Sequence, residues 1–200
     1  MLKRFLVLTI LFSFVFSHPV IFKNGKVLWL AQNPSFNDIR FGISKTNKWL
    51  VGGRILEDRK SKETFALINN NFLVNRWNNK NSQANFYLLS SVGLNIDNSK
   101  SVTSIGLHGD WENRQYMVME MLEYYSHNNA WVSNSRLAYS PFKVDYAKTS
   151  YWFVAHFRTE YKNSKLSYMF FPILRLYRNN YLFEFGANGD NTFFTLMAHF

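Results

Sequence analysis

The polar residues of His108-Gly-Asp110-Trp-Glu112-Asn-Arg114 recur at every second position. In an extended chain this spacing puts all four side chains on one face. An imidazole and two carboxylates are metal-ligating groups, so the segment is a candidate metal site. Alternate residues of a strand lie about 7 Å apart, however, and one ion would need donors from neighbouring strands as well. A charge network is the simpler account, with Asp110 and Glu112 pairing with Arg114, Arg158 or nearby lysines. A second row, Met117, Met119 and Met121, also alternates. Thioethers are soft donors that suit copper(I). As apolar side chains in alternation, these methionines are expected instead on an outer, lipid-facing wall. No catalytic residue and no cofactor is predicted.

Other charged residues fall into the same pattern. Tyr151, Phe153, Ala155, Phe157 and Thr159 share one face of a strand, and Trp152, Val154, His156, Arg158 and Glu160 share the other. Leu166, Tyr168, Phe170, Pro172, Leu174 and Leu176 form the next outward row. Asn179-Asn180 reads as a two-residue type I′ turn, since Asn tolerates positive φ. That turn pairs Arg178 with Tyr181, so Arg175 stands opposite Glu184 while Leu176 meets Phe183 and Leu174 meets Phe185. A slip of one residue would set both charges against apolar partners. Pro172 cannot donate to a ladder, which predicts a bulge or a strand end near it. The predicted inner network therefore comprises Asp110, Glu112, Arg114, His156, Arg158, Glu160, Arg175 and Glu184.

The elements that must position these residues are strands. Alternating segments punctuated by Asn-, Gly- and Ser-rich turns run from about Trp49 to Phe200. Their count is about ten, with eight as the other even-numbered candidate. Each is near the 9–11 residues, roughly, that cross a bilayer at a tilt. Residues 18–47 read as an N-terminal segment ahead of the barrel, with further strand character at Ile39, Phe41 and Ile43. The lumen of such a barrel is mixed, as side-chain filling of a small barrel requires, and too narrow for a broad aqueous channel.

Residues 1–17 read as a cleaved signal peptide for the general secretory pathway. Lys3 and Arg4 form its positive start, Phe5 to Phe16 its apolar run, and Val15 and Ser17 suit the cleavage site. The apolar run is shorter than the roughly 20 residues of a spanning helix. Tyr168 to Leu174 is the longest wholly apolar stretch after it, and Pro172 interrupts that. The chain has no Cys, so no disulfide supports an exported fold. The net charge of +10 suits anionic lipid headgroups, or simply solvated loops. Nucleic acid is not an expected partner of an exported chain.

The last residues carry a resemblance. Thr192, Phe194, Leu196, Ala198 and Phe200 alternate with Phe193, Thr195, Met197 and His199, and the sequence ends on an aromatic residue. This resembles the terminal strand of bacterial, Gram-negative outer-membrane β-barrel proteins, in which the barrel-assembly machinery recognises residues placed as Phe194, Leu196 and Phe200 are here. The resemblance implies an all-β, closed antiparallel transmembrane barrel over residues 48–200, located in the outer membrane among its lipids and lipopolysaccharide. It marks a class and not a family, so it implies no activity. A structural, binding or narrow-transport role is expected. One alternative is a lipid-modifying enzyme of acyltransferase or acyl hydrolase type. The His-x-Ser pair of the outer-membrane lipid A deacylases and phospholipases is absent: His18, His108, His127 and His156 are followed two places on by Val20, Asp110, Asn129 and Arg158. The other alternative is a secreted, soluble ligand-binding barrel, which would turn its apolar rows inward; the early Gly-x-Trp of the lipocalins is missing.

Overall fold

Alternation of apolar and polar residues, broken by short Asn/Ser/Gly turns, gives one sheet of twelve strands and no helix among the described residues. The computed structural model describes residues 22–144 and 148–200. The expected signal peptide lies outside them. In chain order the strands are β1 (Lys26–Gln32), β2 (Phe36–Ser44), β3 (Trp49–Asp58), β4 (Thr64–Asn78), β5 (Ser82–Asn95), β6 (Ser101–Asn113), β7 (Tyr116–Tyr125), β8 (Ala130–Tyr139), β9 (Ser150–Lys162), β10 (Lys165–Arg178), β11 (Tyr181–Asn188) and β12 (Asn191–His199). Each pairs antiparallel with its neighbours in sequence, and β1 pairs with β12 to close the barrel. Closure leaves no free sheet edge along that seam.

The count is twelve and not ten because residues 26–44, expected ahead of the barrel, supply β1 and β2. The sequence Val27-Leu28-Trp29-Leu30-Ala31 is apolar on both faces, so β1 lacks the alternation that marks the other strands. Two further strands widen the barrel, which changes what its lumen can hold.

The predicted hairpin register is observed. Arg175 lies opposite Glu184, Leu176 opposite Phe183, Leu174 opposite Phe185 and Arg178 opposite Tyr181. The turn differs in type. Only Asn179 has positive φ (52°), which is the type II′ pattern; the hairpin at Asn163-Ser164, with φ of 51° and 58°, takes both central residues left-handed as type I′ requires. Pro172 causes no bulge. Its pairing with Ala155 of β9 runs through without a shift, while the ladder to β11 ends at Ile173, so no donor is missing on that side. The one register shift among the described strands is at Leu73/Asn75 in β4.

The outer wall is mostly apolar on every strand, with Asn70, Ser90, Glu120, Ser133 and Ser135 as polar exceptions. Every strand exposes at least one large hydrophobic side chain, among them Ile39, Phe72, Ile105, Leu137, Phe153 and Phe183. Trp49, Trp77, Tyr116, Tyr139, Tyr151, Tyr181 and Phe200 ring the end that carries both termini, and Trp131, Tyr161 and Tyr168 stand at the opposite, distal end. Buried positions point inward, and many are charged: Arg54, Glu123, Arg136, Arg158, Arg175 and Glu184. Apolar side chains outside and charges inside invert the order of a water-soluble domain.

Candidate functional site

The lumen is the candidate site, and a buried apolar cluster packs its distal end. Phe36, Leu56, Phe65, Val102, Tyr125 and Val132 form a buried cluster there. The β7–β8 turn inserts His127 into it, with ring centroids 4.3 Å from Phe65 and 5.9 Å from Tyr125. Beneath this plug lies an ion network. The Arg54 guanidinium donates to Asp38 at 2.8 Å and to Glu123 at 3.0 Å. Arg40 also reaches Asp38, at 2.6 Å, and Tyr125 and Ser104 donate their hydroxyls to Glu123 at 2.6 and 2.8 Å. None of Asp38, Arg40, Arg54 or Glu123 was singled out from the sequence. Asp38 and Arg40 alternate with Ile39 and Phe41, the same signal that marked the later strands.

The predicted network residues all face the lumen or its mouth, but they separate into distinct groups. Glu184 accepts from Arg175 Nε at 2.7 Å and from Arg136 Nη1 at 3.1 Å, so two guanidiniums share one buried carboxylate. Arg136, on β8, is the partner that sequence reasoning missed. Arg158 stands 3.7 Å from Glu160 and donates to Asn134 at 3.3 Å. His156 also meets Asn134, at 3.2 Å, and packs against Phe171 and Phe193. Asp110 accepts from Asn85 at 2.6 Å and contacts His108 Nε2 at 2.9 Å. Glu112 and Arg114 lie at the mouth.

Within these walls is a cavity of about 860 Å³. The lumen is therefore plugged at the distal end and not filled throughout, a consequence of the larger strand number. Turn residues Asn79, Lys80 and Asn81 and the exposed Phe142 and Lys143 put its mouth at the terminal end. Among the described residues, nine Arg and Lys side chains line the cavity against four carboxylates. Lys80, Arg114, Lys143 and Lys148 are at the mouth, and Arg136, Arg158 and Arg175 are deeper. The arrangement is a basic cup.

The methionine row does not take the expected lipid-facing wall. Met117, Met119 and Met121 line the cavity and do not face outward. Glu123 and Tyr125 fix the phase of β7, because their contacts with Arg54 require them inside. The same phase turns Glu120 outward. It does not continue the His108–Arg114 face, because the turn at residues 114–115 intervenes. On the outer wall, Glu120 accepts hydroxyl hydrogen bonds from Ser133, at 2.5 Å, and from Ser135. Among the described residues, no three His, Cys, Asp or Glu side chains are placed to hold a metal ion.

The terminal-strand residues Phe194, Leu196 and Phe200 share the outward phase of β12, while Phe193, Thr195, Met197 and His199 are buried. No protein-family model, curated protein or solved structure matches this chain.

Proposed function

We propose that this protein is a small bacterial outer-membrane β-barrel with a non-enzymatic role, whose lumen is a basic cup that binds anionic solutes. The observation that carries the reading is the apolar outer wall around all twelve strands, set against a charged interior. Soluble monomers rarely expose contiguous apolar patches larger than a few hundred Å². In a bilayer the same wall is satisfied, and the aromatic residues at its two ends sit at interfacial depth. The outward Phe194, Leu196 and Phe200 suit recognition by the barrel-assembly machinery, and lipid and lipopolysaccharide are the partners of the wall. In that class the termini are periplasmic, so the cup opens to the periplasm and the His127 plug faces outward.

An anionic occupant follows from the charge of the lining. Glu184 balances one of the two guanidiniums that it holds, leaving positive charge beside the cavity. The plug argues against a continuously open pore. A lipid-modifying activity has less support: His108, His156 and His199 are buried in the lumen and His127 in the plug, and the outward Glu120–Ser133–Ser135 group lies midway along β7 between Tyr116 and Tyr124, away from the depth of lipid ester groups.

Membrane fractionation with an unboiled/boiled gel pair tests the location. Recovery in the outer membrane with a boiling-dependent shift in mobility is expected. A soluble, unshifted protein would sink the membrane reading and leave a secreted barrel.

A further inference from the structure

Two rows that alternate independently in the sequence meet on the inner wall. His108 lies directly opposite Met121, Asp110 opposite Met119 and Glu112 opposite Met117 across the β6–β7 ladder. Directly opposed side chains on one face have Cβ atoms about 5 Å apart, and diagonal neighbours remain within reach of long side chains. His108 and Met121 also converge on the same ring: His108 packs edge-on against Tyr87 at 5.3 Å, and Met121 packs against the cluster that contains Tyr87.

The imidazole is held through one nitrogen and leaves the other without a hydrogen bond. Its Nε2 is 2.9 Å from Asp110 Oδ2, and because the carboxylate accepts, Nε2 carries the proton. In that neutral tautomer Nδ1 carries the lone pair. Nδ1 is buried and has no hydrogen-bond partner among the described residues, and the side chain is only 10% exposed. A carboxylate on the far nitrogen is the usual support of a metal-ligating histidine. Asn85 in turn holds Asp110, at 2.6 Å.

The methionines divide into two kinds. Met117 sulfur accepts from Arg175 at 3.2 Å, and Met197 sulfur contacts His199 at 3.1 Å. Met121 and Met119 stand directly opposite His108 and Asp110 on the neighbouring strand, Met121 against the Tyr87 cluster and Met119 also against the cluster of Met117, Phe171 and Phe193. One imidazole nitrogen and two thioethers form a soft donor set, which selects copper(I) over zinc, calcium or magnesium. Asp110 and Glu112 are the charges on the same strand, Arg76 reaches Asn85 at 2.7 Å from the neighbouring side, and thioether bonding to a soft ion is not chiefly coulombic.

We infer that His108, Met119 and Met121 form a binding site for a soft monovalent metal ion, copper(I), with Asp110 as a positioning residue. Silver(I) is the redox-inert probe. The test titrates silver(I) into the refolded mature chain in detergent, with methionine methyl groups labelled for NMR. After the leader the chain has Met117, Met119, Met121, Met169 and Met197 as reporters. The methyls of Met119 and Met121 are expected to shift together and saturate at one ion per chain, with Met169 and Met197 unmoved. Met121→Leu, His108→Gln and Asp110→Asn are each expected to lower the affinity roughly 10–100-fold, with the boiling shift retained as the sign of folding. If His108→Gln fails to fold, Met121→Leu carries the test, because it conserves volume and polarity. Absence of a shift, parallel movement of all the methionines, or unchanged affinity in Met121→Leu would overturn the site.

Discussion

Replacing Glu184 by Gln removes one charge and almost no volume from a buried ion cluster of the barrel. Glu184 is 1% exposed, and its carboxylate is the shared acceptor of Arg175 and Arg136, at 2.7 and 3.1 Å. The amide keeps one acceptor oxygen but leaves two guanidiniums without a counter-charge. Breaking a buried pair in this way costs about 3–5 kcal/mol. Both arginines border the cavity with side chains 11% exposed, so water screens part of the loss, and the lower end, about 3 kcal/mol, is expected. The companion variant Arg136→Met/Arg175→Met/Glu184→Leu removes the cluster as a whole. It is expected to be far closer to wild type than the single change, because the desolvation cost disappears with the attraction. Urea unfolding in lipid vesicles, followed by tryptophan fluorescence and by the boiling-dependent shift, measures both. A loss below about 1 kcal/mol for Glu184→Gln would show that the cluster is solvated and not an integral part of the fold.

Three further outcomes follow from the wall and its glycines. Glu120 stands midway between Tyr116 and Tyr124 on the outward face of β7, so Glu120→Leu is expected to raise stability in a bilayer by about 1–2 kcal/mol; a fall measured by the same urea assay would count against lipid at that height. A Cβ at Gly52 would come within 1.9 Å of the Phe41 carbonyl oxygen, whereas one at Gly109 meets nothing within 4 Å. Gly52→Ala should therefore cost about 1–3 kcal/mol and Gly109→Ala less than about 0.5 kcal/mol, and similar values for the two would contradict the packing. Deleting Phe200 is expected to reduce assembled barrel in cells while leaving refolding in vitro unchanged; equal loss in both would make Phe200 a stabilising residue and not a recognition signal.

The strands from Trp49 onward were legible because each alternates and each ends in turn residues with a physical reason to be there. The Arg175–Glu184 register was legible for the same reason, reinforced by charge. β1 was not, because Leu28 and Leu30 face out while Val27 and Trp29 face in, which erases the period-two signal. Phase was the other difficulty. Met117 to Met121 are apolar and alternate, and nothing local says which wall they occupy; Glu123, two residues on, decides it through Arg54, a residue 69 positions away in sequence. The lumen groups were visible as charged rows, but their grouping was not. Arg136 joins Glu184 across the barrel, not along a neighbouring strand, and alternation carries no information about contacts of that kind.

On the proposed reading the apolar outer wall faces lipid, and the wall itself can be probed for this. The chain lacks Cys, so single cysteines at positions 88, 90 and 92 of β5 can carry a spin label without background. Leu88 and Val92 point outward and are 46% and 53% exposed. In outer-membrane vesicles, labels at 88, 90 and 92 should be open to molecular oxygen, which partitions into lipid, and closed to a water-soluble nickel chelate. Ready access of the nickel chelate to positions 88 and 92 would place this wall in water and contradict the account.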